Sequence, residues 1–474
     1  MSVNKKRQRV WSGVFVAMLV LLTARWYQGA PAAHAGAAAS GDWPTYLFNN
    51  ARGGFNAAET MITPKTAPNL KEDWSYKDTA ASSISAQPVE ANGMIYWGSW
   101  NDGVEHALDL TGHQVWGTSV GVSPPANCSN RTLGVASTAT IASERIGGIT
   151  KSVLYVGGGD VNLYALDALT GAQIWKTPLG TLPDYYIWSS PAVYKGSVYI
   201  GVSSRADCPL VQGELVQLDA ATGQLLHTFD VVPTGCTGGS IWSSPTIDTQ
   251  AGTVYVATGN PGPCSQSEPY AVALVELRAS DLSVLGYWQV PVNQQGGDSD
   301  FGSTPTLFKG TIGGTVTNLV GVANKNGIFY TFAREAVSNG PVWMTTLAIG
   351  GGNPQGGKGS ISPAAWDGTT LYAAGGNTTI NGQSCKGSLR AIDPSTGSFK
   401  WQDCFTDGIV LAAVSLVPGV AFAEEGSHVV AVATRSGKKL FDFDTLKVIY
   451  GAASISNGVV YVGSTNAKLY AFGL

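Results

Sequence analysis

The chain has 474 residues, a formal net charge of −4, 13% charged residues, 60 Gly and 14 Trp. A glycine share well above the usual ~7%, with no long Ala/Glu/Lys/Leu-rich stretch beyond the N-terminal leader, excludes a helical bundle and points to many short strands joined by tight turns. The modestly acidic balance excludes a nucleic-acid binder or a protein built to sit on anionic lipid.

In chain order, Lys5, Lys6, Arg7 and Arg9 precede an apolar run over residues 10–22, and Ala33-His34-Ala35 places small residues where a signal peptidase reads. Residues 1–35 are expected to form a secretory signal peptide, followed by a single domain over 36–474. The run is shorter than the ~20 residues a bilayer span needs, so the mature chain is expected to have no membrane span. Loss of the five basic leader residues (Lys5, Lys6, Arg7, Arg9, Arg25) and of no acidic one takes the formal charge from −4 to −9. An exported protein follows, in the periplasm, at the cell surface or outside the cell.

Asp42-Trp43-Pro44 opens the mature region, and Leu70-Lys71-Glu72-Asp73-Trp74-Ser75 reads as a strand without a partner hairpin. A repeat then takes over, with starts near residues 84, 134, 187, 241, 300, 359, 410 and 449. Its sharpest opening strands are Trp188-Ser189-Ser190-Pro191-Ala192-Val193 and Trp242-Ser243-Ser244-Pro245-Thr246-Ile247, with weaker copies at Ser303-Thr304-Pro305 and Ile361-Ser362-Pro363. Its last hairpin is clearest at Ala165-Leu166-Asp167-Ala168-Leu169-Thr170-Gly171-Ala172-Gln173-Ile174-Trp175 and over residues 391–401. In that hairpin Asp accepts turn amides, Gly supplies positive φ, and the terminal Trp can bury its ring on the next unit while its N–H finds a carbonyl. The final copy ends at Lys468-Leu469-Tyr470-Ala471-Phe472, one strand short, and the lone strand near residue 70 supplies it. The expected fold is all-β: an eight-bladed β-propeller of four-stranded antiparallel blades, closed by pairing of N-terminal and C-terminal strands.

Six Cys in an exported chain suggest disulfides. Hairpin register puts Cys208 opposite Cys236 across the turn at 219–223, and Cys385 opposite Cys404 across 393–397. Cys128 and Cys264 are left without an assigned pairing.

The Ala-x-Asp-x-x-Thr-Gly-x-x-x-Trp hairpin, the Trp-Ser-Ser-Pro starts and Asp42-Trp43-Pro44 resemble the repeat of quinoprotein dehydrogenases. The Asp300-Phe301-Gly302-Ser303 stretch is similar to that of the polyvinyl-alcohol dehydrogenases among them. The resemblance implies an oxidoreductase that takes hydride from an alcohol or sugar, small or polymeric, to pyrroloquinoline quinone beside calcium, with a separate electron acceptor. Similar repeats also occur in a non-catalytic outer-membrane assembly factor, so the rival is a propeller that binds a protein or carbohydrate without chemistry.

Carried over residue by residue, Thr258-Gly259-Asn260-Pro261 is similar to a family strand end whose Asn ligates calcium, a role for a hard amide oxygen. Trp242 falls where a flat indole forms the floor under the quinone. Asp298 takes the place of the catalytic base and metal ligand, with Asp300 as understudy, although the Trp expected before that Asp is Gly297. Lys325, in Asn324-Lys325-Asn326-Gly327, takes the place of a cation that reaches the quinone oxygens and steadies the reduced ring. Asp207 occupies the position of a Glu calcium ligand, and Arg131 that of a quinone-contacting Arg. The adjacent Cys-Cys pair of many relatives is missing, and no Cys-x-x-Cys-His is present to attach haem. Gly117-Thr118-Ser119-Val120-Gly121 follows a strand-ending Trp instead of entering a helix, so it is not a hydrolase elbow.

Overall fold

The computed structural model describes residues 41–77, 83–126 and 129–474. The expected signal peptide and Cys128 lie outside the described residues. Regular helix among these is confined to short 3-10 turns such as Ala67–Asn69, and no described helix is long and apolar enough to cross a membrane.

Eight antiparallel blades follow one another along the chain. Their innermost strands are, in order, Val89–Ala91, Thr140–Ile146, Ala192–Tyr194, Thr246–Asp248, Thr306–Ile312, Ala365–Trp366, Ser415–Val417 and Ser454–Ser456; we number the blades 1 to 8 accordingly. Blade 8 takes its outermost strand from the N-terminal side. Lys71–Lys77 pairs with Lys468–Gly473, with Lys71 opposite Gly473 and Lys77 opposite Lys468. The ring therefore closes as the sequence predicts, and no blade is left with an open inter-strand edge in the gap between chain ends.

Two sets of side-chain latches explain the repeat. The outer-strand indoles donate across blade boundaries: Trp116 to the Ala168 carbonyl (3.0 Å), Trp175 to Ala220 (3.0 Å), Trp343 to Pro394 (2.9 Å) and Trp401 to Thr434 (2.7 Å). The Thr-Gly turn receives that ring: Gly171 has φ +70°, and a Cβ there would collide with Trp116. The second latch is a hydroxyl ring around the axis. The Thr138 hydroxyl accepts the Gln87 N–H (2.9 Å), Ser190 accepts Thr138 (2.9 Å), Ser244 accepts Ser190 (2.9 Å) and Thr304 accepts Ser244 (3.0 Å). The second Ser of Trp-Ser-Ser-Pro is thus the joint between one blade and the one before it.

The innermost strands face the axis, and their unpaired backbone groups need partners. Residues 43–56 form a strap that serves every blade. Trp43 bridges Glu90 of blade 1, and the Pro44 carbonyl accepts from Ile141 of blade 2 (2.8 Å). Asn50 donates through its side chain to Val193 of blade 3 (2.8 Å) and accepts from Ile247 of blade 4 (2.8 Å). The carbonyls of Ala51, Gly53 and Gly54 accept from Leu307, Trp366 and Leu416 of blades 5, 6 and 7, and the Asn56 amide donates to Ile455 of blade 8 (2.9 Å). Arg52, fully buried, donates to the carbonyls of Pro245 (3.0 Å), Pro191 (3.2 Å) and Tyr46 (2.6 Å).

One expected disulfide is observed and one is corrected. Cys385 pairs with Cys404 (Cα–Cα 5.3 Å). Cys236 pairs with Cys264 at the same Cα separation, not with Cys208, which is disulfide-bonded to another partner. The hairpin register fails because it ends at Glu214↔Asp230, short of both cysteines. Beyond it, Gly239 donates to Asn260 (2.7 Å) and Gly262 to Thr237 (2.8 Å), which lays residues 236–239 along 260–264 instead.

At the boundary of blades 7 and 8 a carboxyl replaces the hydroxyl latch: Glu424, fully buried, accepts the Ala453 N–H (3.0 Å). Burial pushes its carboxyl from 4.5 up to about 8, against the hydrogen bond from Ala453. A carboxyl that holds its proton more tightly when folded contributes fully below its unfolded value and loses that contribution as pH climbs. Glu424→Gln, which keeps the acceptor, is therefore expected to be more stable than the parent chain near pH 8 by roughly 1–3 kcal/mol and equal to it near pH 4. Urea unfolding at the two pH values checks this; equal stability at both would mean the carboxyl ionises without cost.

Candidate active site

From the Trp-Ser-Ser-Pro start of blade 4, Trp242 enters the axial end opposite the strap. The hydrogen bonds that follow tie it to three separate loops. Its indole N–H donates to Asp300 Oδ2 (2.9 Å), and the Lys325 ammonium lies 5.1 Å from its ring centroid. Lys325 Nζ is 3.0 Å from both oxygens of Asp298 and 2.5 Å from Asp300 Oδ1. The Asn260 side-chain amide donates to Asp298 Oδ1 (2.8 Å), while its own Oδ1 accepts the Ser299 N–H (3.4 Å). Residues from blades 4 and 5 and the segment joining them, 83 positions apart between Trp242 and Lys325, thus meet in one network.

Local structure explains each placement. Gly302 leaves room for the Trp242 ring, which any Cβ there would strike. Asn260 follows the strand Thr253–Ala257 and belongs to the loop stapled by Cys236–Cys264. Asn324 and Lys325 follow the strand Thr315–Ala323; the Asn324 amide donates to the Ser299 carbonyl (2.7 Å) and the Lys325 N–H to the Asp300 carbonyl (3.3 Å). Main chain and side chains therefore fix the two carboxylates and the ammonium together.

The electrostatics separate the two Asp. Burial is the largest influence on both. For Asp300, whose side chain is 6% exposed, burial wins and, with the charge of Asp298 adding to it, pushes the carboxyl up to about 7 against the pull of Lys325. For Asp298, 31% exposed, burial is outweighed by the hydrogen bonds from Asn260 and Lys325, and its carboxyl lies below the ordinary range. Burial would lower Lys325, but the charge of Asp300 and the bonds to both carboxylates hold it above its ordinary value. Two neighbouring carboxyls whose surroundings push them apart are a recurrent sign of divided acid–base labour. Asp298 is the one that stays ionised and reachable from outside.

The remaining predicted residues divide. Asp207 is partly exposed, and its carboxyl lies above the ordinary range because partial burial outweighs the pull of Lys325, with the charge of Asp298 adding to it. Arg131 is also exposed, and it enters through its main-chain carbonyl, which accepts a hydrogen bond from the buried guanidinium of Arg205. Among the described residues its side chain makes no hydrogen bond or ion pair with the cluster. Arg205, which has no counterpart among the sequence-based candidates, is the buried cation of that loop.

Trp242 also lines an axial cavity of about 250 Å³. The starts of all eight blades contribute to its wall, among them Trp100, Trp188, Ile361, Leu411 and Tyr450, and Tyr46 of the strap reaches it from the far end. Trp188 lines this cavity with Trp242 and packs edge-on against Trp100 (6.2 Å). A loop over residues 349–359 covers the cluster: a Cβ on Gly352 would strike Asp298, and Gly351 donates to the Lys325 carbonyl (2.8 Å). The same loop carries Gln355 to the cavity wall. Sequence reading missed Gln355, although the run Gly350-Gly351-Gly352-Asn353-Pro354-Gln355-Gly356-Gly357 signals backbone held close to another group. A larger depression of about 680 Å³ lies on the strap side, lined by residues such as Asn50, Ile247 and Arg334, and holds none of the cluster.

A planar redox ring fits the wall that Trp242 offers, since the indole is only half-buried and a cation stands over its face. A hard divalent ion fits the donor chemistry of the Asn260 carbonyl oxygen and the carboxylates of Asp298 and Asp207. Lys325 is the cation that now satisfies Asp298. Among the described residues no group of three His, Cys, Asp or Glu is arranged to hold a metal, so any such site depends on the amide as well as the acids.

Residues 43–346 match the family model of the PQQ-type β-propeller domain of glucose, ethanol and alcohol dehydrogenases. The chain belongs to that family. It is 26% identical to the polyvinylalcohol dehydrogenase of Sphingopyxis sp. (strain 113P3), over 84% of this chain and 68% of that protein. It is 27% identical to the quinohemoprotein alcohol dehydrogenase of Comamonas testosteroni, over 63% of this chain and 46% of the relative. The chain thus spans about half the length of that relative and two thirds of the first. The crystal structure of the Comamonas testosteroni quinohemoprotein enzyme superposes with a TM-score of 0.70 at 21% identity, covering 92% of this chain and 81% of that one. That likeness shows the shared propeller.

Lys325→Met would leave Asp298 and Asp300 facing each other without their cation. Loss of stability by about 3–5 kcal/mol near neutral pH is expected, shrinking toward about pH 4 as the carboxylates take up protons. Unfolding curves at the two pH values measure it. A variant as stable as the parent chain at neutral pH would show that the ammonium does not balance the acids.

Proposed function

We propose that this chain oxidises an alcohol or sugar by hydride transfer to pyrroloquinoline quinone, with calcium as the accompanying metal. The observation that carries the reading is the meeting of Trp242, Asn260, Asp298 and Lys325 in one network, of which Trp242 lines the axial cavity. A propeller that served only as a binding scaffold has no use for three charged side chains desolvated together beside an aromatic wall, an arrangement that functional sites favour.

Trp242 and Lys325 would hold the quinone, Arg131 would approach it from its loop, and Asn260, Asp298 and Asp207 would hold the calcium. When bound, the quinone supplies the hydride acceptor and the calcium a Lewis acid. Asp298 receives the hydroxyl proton of the alcohol, because it is ionised at neutral pH and open to the outside. Asp300 is shut off from substrate and instead holds the Trp242 ring edge and the Lys325 ammonium in place. The charge of Lys325 favours negative charge developing at its side of the cavity. The glycine-rich loop packs on Asp298 through Gly352 and leaves the carboxylate partly open. Electrons leave to a separate acceptor, since the chain has no haem-attachment motif. Export belongs to the same reading: the N-terminal leader and the disulfides Cys236–Cys264 and Cys385–Cys404 suit an oxidising compartment.

The test adds pyrroloquinoline quinone and calcium to purified protein and follows melting temperature together with dye reduction by a panel of alcohols and sugars. A raised melting temperature is expected, because a ligand of the native state must stabilise it. Turnover is expected to fall by roughly a hundredfold or more in Asp298→Asn. No thermal shift at saturating quinone, or undiminished turnover in Asp298→Asn, contradicts the proposal.

A further inference from the structure

The indole latch breaks at the boundary of blades 3 and 4. In blades 1, 2 and 6 the residue facing the outer-strand Trp is Ala: Ala107 faces Trp116, Ala165 faces Trp175 and Ala391 faces Trp401. The same ladder position in blade 3 pairs Gln217 with the exposed His227. Blade 4 also lacks the indole, with Gly286 there, but the turn Val337–Asn339 covers it, Ser338 accepting the Tyr287 N–H (3.1 Å). Between blades 3 and 4 a slot of about 450 Å³ stays open instead.

Its lining identifies it as the place of the indole. Tyr96 and Tyr155 stand beside Trp116 and Trp175 (ring centroids 5.9 and 5.8 Å) and donate to the same carbonyls as those indoles, Ala168 and Ala220. In the slot Tyr199 donates to the Ala279 carbonyl (2.6 Å) with no indole beside it. Leu282 stands at the turn position of Gly171 and Gly223, its N–H donating four residues back as theirs do. It is 3% exposed at φ +57°, and its side chain occupies the place where those glycines meet the six-membered part of the indole. What is left suits one ring, not two.

Two groups in the slot lack partners. Gln217 is 4% exposed, and its Nε2 donates to Ser197 Oγ (3.0 Å) and Tyr199 Oη (3.2 Å). Because Tyr199 gives its own proton to Ala279, it can only accept from Gln217, which fixes the amide orientation. Gln217 Oε1 is thereby left without a donor among the described residues, a costly state for a buried carbonyl. Nearer solvent, Lys195 lies over the Tyr194 ring (5.0 Å) and makes no ion pair among the described residues, whereas Arg278 is shared with Asp281 (3.4 Å). No lining residue is acidic.

We infer that this slot binds a small phenolic acid: a single aromatic ring beside Tyr199, its hydroxyl donating to Gln217 Oε1 and its carboxylate facing Lys195. None of the charged cluster lines the slot, so the inference is independent of the dehydrogenase reading.

Calorimetric titration of the parent chain with 4-hydroxyphenylacetate tests it, and saturable binding is expected below millimolar concentration. Phenylacetate, which lacks the donor, should bind at least about tenfold more weakly. Gln217→Ala, which removes the acceptor and restores the residue of the neighbouring blades, should show the same loss, and the two losses should not add. Lys195→Met should weaken 4-hydroxyphenylacetate and leave 4-hydroxyphenylacetamide unchanged. The triple change Gln217→Ala, His227→Trp, Leu282→Gly rebuilds the latch and should abolish binding; if it does not fold, Gln217→Ala alone decides. Absence of binding at millimolar concentration, undiminished binding by Gln217→Ala, or phenylacetate bound as tightly as its hydroxylated form overturns the site.

Discussion

Eight innermost strands turn one edge to a common axis, and the backbone groups on that edge have no strand to pair with. How those groups are satisfied decides what the centre of the molecule can be. At one end the strap over residues 43–56 takes them up, blade by blade, with Arg52 collecting three carbonyls beneath it. Nearer the middle, the hydroxyls of Thr138, Ser190, Ser244 and Thr304 each accept an amide from the preceding blade. Toward the opposite end the described backbone gives way to a cavity lined with aromatic rings, one of which, Trp242, carries the charged cluster at its edge. A ring closed and plugged on one side can leave the other side open without loss of the fold.

That asymmetry is what makes the cluster chemically useful. Lys325 and the two Asp are shielded enough that burial raises the Asp300 carboxyl to about 7 against the pull of Lys325, yet Asp298 keeps contact with the outside. The division between an accessible ionised acid and an enclosed one at about 7 arises from a difference of two positions along one loop. The loop itself is held from three sides: by Asn260 on the disulfide-stapled segment, by Asn324 and Lys325 of blade 5, and by Gly352 above. Side chains locked by this many neighbours can be aimed, and a base must be aimed to act.

The architecture was legible from sequence because its signal repeats. The Asp-x-x-Thr-Gly-x-x-x-Trp hairpin states a turn, a positive φ and an inter-blade indole in one short stretch; Trp175 and Trp401 donate as that pattern implies, Trp116 does so from a shortened copy, and Trp343 does so without the motif. The four principal site residues were legible singly, through spacing to a repeat start; that they meet was not, since contact across blades depends on ring geometry and not on spacing. Features that occur once escaped: the strap with Arg52, the buried Arg205, and Gln355 on its glycine run. Cys208 was mispaired for a related reason. Register carries only as far as the hairpin ladder, and past Asp230 the chain leaves blade 3 to run beside the Asn260 loop. Cys385 and Cys404 lie close to a ladder end, where Ser388 still faces Cys404, so register sufficed there.

The central claim is that the open axial end is a seat for a flat redox cofactor. A crystal structure of the protein grown or soaked with pyrroloquinoline quinone and calcium tests it most directly. Planar density lying on the Trp242 ring, with Lys325 in hydrogen-bonding reach of its oxygens, is the predicted result. An axial end unchanged at saturating quinone, or density seated only in the strap-side depression beside Arg334, would contradict it.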